Sequence, residues 1–138
     1  MPISYQPSRG AVLMCDYGPN PRNIVAPGVI TGPLAVPPEM YKNRHVMVIS
    51  APSSRLAAVI PFSTDPPLTV KNHHYKIIKG KYEFFNPGCD IWCKGDMTAA
   101  VSYERLSRCL VGGRPGNFYL DDEDKARVLE CVRQALRL

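Results

Sequence analysis

No stretch of the chain approaches the roughly 18 unbroken apolar residues that a membrane-crossing helix requires. Residues 1–10, MPISYQPSRG, hold no apolar core of a secretory leader, so cytoplasm is the expected compartment and no membrane partner is expected. Cysteine occurs an odd number of times at irregular spacing: Cys15, Cys89, Cys93, Cys109 and Cys131. That argues against a disulfide framework. Cys89 and Cys93 form a CxxxC pair, but no second pair stands at metal-site spacing, and histidine is scarce (His45, His73 and His74). Free thiols are therefore the expectation, with neither a metal nor an organic cofactor.

What is present is enough for one folded domain spanning residues 1–138. Apolar residues make up 45% and charged residues 21%, a composition that can build a core without staples. The net charge is +5 and the pI about 9.0, which favours an anionic partner. Between Val70 and Lys94 the cations Lys71, Lys76, Lys79, Lys81 and Lys94 face only Glu83 and Asp90. Tyr75, Tyr82, Phe84, Phe85 and Trp92 are interleaved with them. Cations among ring faces suit a single-stranded nucleic acid better than a duplex. A solvated strand pair carrying its own core aromatics produces the same mixture.

Along the chain, residues 1–8 read as a tail and Ala11–Tyr17 as a strand stopped at Gly18-Pro19. Residues 18–43 hold six of the 14 prolines and read as a long loop, with at most a short edge strand near Val29–Ile30. His45–Ser50 and Leu56–Phe62 are apolar runs expected as buried strands, joined by a hairpin through Ala51–Ser54. Further strands are expected over Val70–Ile78 and Tyr82–Phe85 and starting at Asp90–Cys93; Thr98–Val101 is a short apolar stretch, and Leu106–Val111 is short, β-capable and broken by Gly112-Gly113. Ser102–Leu106 can form one helical turn between the last two. The clearest helix covers residues 121–137, with Asp121 as N-cap and acids in its first turn. Leu129, Val132 and Leu136, flanked by Val128 and Ala135, form its expected apolar face. Short strands closed by one helix predict a mainly β fold with a strongly curved sheet or partly open barrel.

Three segments, in order, resemble the MazF/PemK/Kid family of toxin ribonucleases. Arg9-Gly10-Ala11-Val12-Leu13 leading to Asp16-Tyr17-Gly18-Pro19 is similar to the family's opening strand and turn. Asn43–Ser50 and Val59–Thr64 are similar to its two core strands. Tyr103-Glu104-Arg105-Leu106 and Leu120–Glu123 are similar to its Arg-Leu segment and closing helix. The resemblance implies an SH3-like barrel with a terminal helix, usually homodimeric. It also implies metal-free cutting of single-stranded RNA and inhibition by a cognate antitoxin. Departures are His45 where the family has proline, the long 18–43 loop, and Ala99 where an arginine would stand.

Metal-free RNA cleavage needs a base for the 2′-OH, donors for the phosphorane, a proton for the leaving 5′-oxygen and a hold on the strand. Arg44 matches the family's arginine, and its fork of donors suits phosphorane oxygens. Ser63 matches a phosphate-side hydroxyl, with Thr64 its neighbour; a turn-capping serine before Asp65-Pro66-Pro67 is the competing reading. Lys94 and Asp96 align with a family Arg-x-Asp; they can also be a plain Lys-Gly-Asp turn. Lys71, His73, His74 and Lys76 are candidates for RNA contact, and a regular strand would put the two histidines on opposite faces. Two other functions share this architecture: a non-catalytic barrel that grips RNA or a protein, and a CcdB-like gyrase inhibitor.

Overall fold

The computed structural model describes residues 1–19 and 42–138. The edge strand expected near 29–30, and most of the 18–43 loop, lie outside the described residues. Three long strands form the centre: β1 (Ala11–Asp16), β2 (Asn43–Ser50) and β3 (Leu56–Ser63). They are antiparallel neighbours, with Leu13 opposite Val46 and Val46 opposite Pro61. Both faces of this trio are covered, which is why they read as continuous apolar runs rather than alternating ones. Leu13, Val46, Val48 and Val59 belong to one core, whereas Val12, Met47, Ile60 and Phe62 belong to the other.

Seven short strands follow: β4 (His74–Ile77), β5 (Ile91–Lys94), β6 (Ala99–Ser102), β7 (Leu106–Arg108), β8 (Leu110–Val111), β9 (Arg114–Pro115) and β10 (Phe118–Tyr119). The free side of β1 pairs with β7 and β10, and the free side of β3 with β5 and β6; β4 extends the sheet beyond β5. β8 and β9 form a separate hairpin turned at Gly112 and Gly113, both at positive φ.

β6 and β7 sit on opposite margins, four strand spacings apart, roughly 19 Å if the sheet were flat. Only a three-residue 3-10 turn, Tyr103–Arg105, joins them. Such a link reaches about 14 Å at full stretch, so the sheet must curl. Tyr103 fixes the link to the β2–β3 hairpin, donating its hydroxyl to the Ser53 carbonyl at 2.6 Å and its N–H to the Arg55 carbonyl at 2.9 Å. The ladders among the described residues do not close into a ring.

The helix α1 spans Asp122–Leu136, and the Asp121 carboxylate accepts the Asp124 N–H at 2.8 Å. Its inward stripe is Asp124, Val128, Cys131 and Val132; Val128 and Val132 of the expected face are buried and Leu129 packs against the core, whereas Asp124 and Cys131 replace Leu136. Leu136 is 53% exposed. Two contacts rotate the helix. Asp124 is drawn inward to the hydroxyls of Tyr75 and Tyr82, both at 2.6 Å. Cys131 rests on Gly95, where any Cβ would lie 2.8 Å from the Cys131 carbonyl carbon.

Two other expectations are corrected. The Val70–Ile78 strand shrinks to His74–Ile77, because residues 72 and 73 turn. Tyr82–Phe85 is no strand; it is a turn that drives Phe84 and Phe85 into the core beneath α1, edge-on to each other at 4.7 Å.

Candidate functional site

Strand register decides which candidates share a face. Val46 stands opposite Pro61, and continuing that register by two residues sets Arg44 opposite Ser63. Ser63 pairs with Trp92, and Trp92 pairs with Lys76. Directly opposed residues point to the same side of an antiparallel sheet. Arg44, Ser63, Trp92 and Lys76 therefore form one transverse row across β2, β3, β5 and β4. Arg44 to Lys76 spans three strand spacings, about 14 Å. Two residues along β5, Lys94 stands opposite His74 on the same face.

At the Arg44 end the strands run out into a cleft of about 220 Å³. Asn43, Arg44, His45, Ser63, Thr64 and Asn86 supply its polar groups, over a floor that includes Met14, Phe62 and Phe85. Three sequence candidates, Arg44, Ser63 and Thr64, thus converge. Arg44 is half-buried and near Tyr17, whose pKa burial and then Cys15 push up, with Arg44 a smaller opposing influence. Ser63 is buried, and its hydroxyl accepts the Asp65 N–H at 3.1 Å. It does cap the turn, yet a hydroxyl that accepts one bond still has its proton to donate.

The other candidates lie apart from the cleft. Lys76 and Lys94 share the face of Arg44 and Ser63 but are not among the cleft's lining residues; Met14, His45 and Phe62 belong to the opposite face, which the cleft reaches at the strand ends. His73 precedes β4, so the two histidines do not diverge as an ideal strand would make them: their ring centres are 4.2 Å apart. His73 Nε2 is 3.8 Å from the Asp96 carboxylate. Lys71 is exposed, and its backbone N–H donates to His74 Nδ1 at 3.0 Å.

Ligand atoms of His73, His74 and Asp96 lie within 4.8 Å of one another, a geometry that could be taken for a metal site. The hydrogen bonding does not fit one. With Nδ1 of His74 accepting an N–H, the ring proton sits on Nε2, leaving no lone pair for a cation. Desolvation, then the neighbouring His73, holds the His74 pKa below its ordinary value, so the ring is a neutral donor near pH 7. Such a donor beside Lys94 suits an anion.

His45 was not among the residues singled out from the sequence. It lines the cleft next to Arg44, packs edge-on against Phe85 at 5.2 Å, and bonds to the Phe84 backbone. Burial pushes its pKa down, outweighing that bond, so it is held neutral. The available signal was chemical: a titratable ring beside Arg44 where the resembled family has a proline.

Fold and cleft together define the class, a mainly antiparallel β protein with one C-terminal helix and a cationic cleft where its central strands end. No helix among the described residues is long and apolar enough to cross a membrane. The chain belongs to the family of YifN, an uncharacterized protein of Escherichia coli (strain K12), to which it is 32% identical over 117 residues, covering 78% of this chain and 76% of the relative. An uncharacterized Haemophilus influenzae protein (strain ATCC 51907 / DSM 11121 / KW20 / Rd) is 29% identical over 136 residues, covering 96% of this chain and 91% of that one. No protein-family model matches the chain.

Proposed function

We propose that this protein is a metal-independent endoribonuclease acting on single-stranded RNA, folded as a small, partly open SH3-like barrel. The carrying observation is the convergence of Arg44, His45, Ser63 and Thr64 on one cleft. These side chains match the demands of 2′-OH attack. Neutral His45 accepts the 2′-OH proton as the oxygen attacks the adjacent phosphorus. Arg44 holds two phosphorane oxygens with its planar fork, and the hydroxyls of Ser63 and Thr64 donate to the same group. Lys94, two residues beyond Trp92 on the face of Arg44 and Ser63, is assigned to a neighbouring phosphate, and water protonates the leaving 5′-oxygen. The short β6–β7 link supports the barrel, because it draws the sheet margins together. A cytoplasmic setting, a homodimer and a cognate antitoxin belong to the same reading.

The test is a long single-stranded RNA incubated with protein in EDTA, beside Arg44→Ala. Discrete fragments from the wild type are expected, with a rate loss of roughly 100- to 1,000-fold in the variant, the range for removing one donor to a developing charge. Cleavage that requires Mg²⁺ overturns the mechanism. A second reading, a barrel that grips RNA without cutting it, draws on the position of Lys94 and Asp96 outside the cleft lining. Bound but intact RNA would establish it.

A further inference from the structure

The sole tryptophan of the chain belongs to neither core. Trp92 is half-buried, and among the described residues it stacks on no other ring. An indole left out of two cores that take in four phenylalanines and several tyrosines needs another explanation than packing. Its surroundings supply one. Lys76 is directly opposite on β4, and Lys94 is two residues along β5, about 7 Å away on the same face. His74, opposite Lys94, presents a fixed Nε2–H because Lys71 occupies its Nδ1. The strand positions around the indole on this face carry no acid; two carboxylates stand at its margin, Asp90, two residues before Trp92 and accepting the Lys79 N–H at 2.9 Å, and Asp96, beside His73. On the other side of Trp92 the row passes through Ser63 to Arg44 and the cleft.

We propose that Trp92 is a base-stacking platform, and that Trp92, Lys76, Lys94 and His74 hold the nucleotides of a single-stranded RNA next to the phosphate that Arg44 meets at the cleft. The inference rests on the nucleic-acid reading of the cleft but not on catalysis. A free base lies on the indole, and its flanking phosphates meet the two lysines and the imidazole N–H. A duplex, whose bases are already stacked, cannot use the platform. The residue sets which strand is accepted and where it sits, and it contributes no proton transfer.

With one tryptophan, intrinsic fluorescence reports on this position alone. The full chain is titrated at low salt with a ten-nucleotide 2′-deoxy strand, which lacks the attacking hydroxyl, and with an abasic strand of equal charge. Binding is read in parallel by anisotropy of a labelled strand. Saturable quenching by the deoxy strand, absent with the abasic strand and with a duplex, is expected. Trp92→Leu should weaken the deoxy strand between about fivefold and 150-fold, while Trp92→Phe retains most of the affinity, which a misfolded variant could not. Lys76→Ala with Lys94→Ala should reduce the slope of log affinity against log salt by about 1.4, roughly 0.7 for each phosphate lost. Binding without quenching, equal quenching by the duplex, or unchanged affinity in Trp92→Leu overturns the platform. Quenching without cleavage of RNA by the same preparation leaves the platform standing and overturns only the ribonuclease reading; cleavage without quenching does the reverse.

Discussion

Replacing Asp124 with alanine is expected to remove a large share of the stability that fixes α1 to the sheet. The carboxylate is 2% exposed. It accepts the hydroxyls of Tyr75 and Tyr82, each at 2.6 Å, and pairs with Lys81 Nζ at 2.7 Å. A hydrogen bond to a charged group contributes about 1.5–3 kcal/mol, so the two hydroxyl bonds alone put the loss near 3–6 kcal/mol. The Lys81 ammonium is solvated and is left out of that figure. Urea titration reads the effect. With a slope of about 2 kcal/mol/M, mid-range for a small protein, the midpoint should fall by about 1.5–3 M. The sign with pH provides the decisive check. Burial raises the Asp124 pKa, but Lys81 and the two tyrosines outweigh it and hold the carboxyl below its ordinary value of 3.8. A depressed acid contributes stability that is present above its unfolded-state pKa and lost as pH falls through the folded one. Wild type and variant should therefore differ most above pH 5, and the difference should shrink as the pH falls below 3.8. A midpoint shift under 0.5 M, or a difference that survives unchanged at pH 2, would refute the account.

Gly95→Ala places a methyl against the Cys131 backbone and should destabilise by about 1–3 kcal/mol, as overpacking does, seen as a lowered Tm; an unchanged Tm removes Gly95 as the seat of α1. If His45 is the base, cleavage should fall only on the acid side of pH 6.5, because burial lowers its pKa, and should stay level through pH 7–8. A limb centred above pH 7 would assign the base elsewhere, as would wild-type rates in His45→Gln.

The central strands were legible because their apolar runs are long and their ends carry turn residues. Arg44 and Ser63 were singled out by the resemblance alone; that both line one cleft follows from the register of β2 and β3. The transverse row from Arg44 to Lys76 was not legible. It depends on Ser63 pairing with Trp92, nearly 30 positions later in the chain, and a slip of one residue would have sent Trp92 to the opposite face. Hydropathy placed Val128 and Val132 on the buried stripe of α1 but left out Asp124. It assigns a carboxylate to solvent, and only the folded structure brings two tyrosine hydroxyls and a lysine to Asp124. Phe84 and Phe85 were taken for strand residues because aromatic runs favour strands, whereas here a turn carries both inward.

β2 and β3 contribute to two apolar interiors at once, Val46, Val48 and Val59 to one, Met47, Ile60 and Phe62 to the other. Neither interior can melt while the other stays intact without stripping one side of the same two strands. Opening on the helix side exposes the backs of residues whose neighbours hold the far side together. Among the described residues the shared strands therefore join both interiors into one cooperative unit and not two.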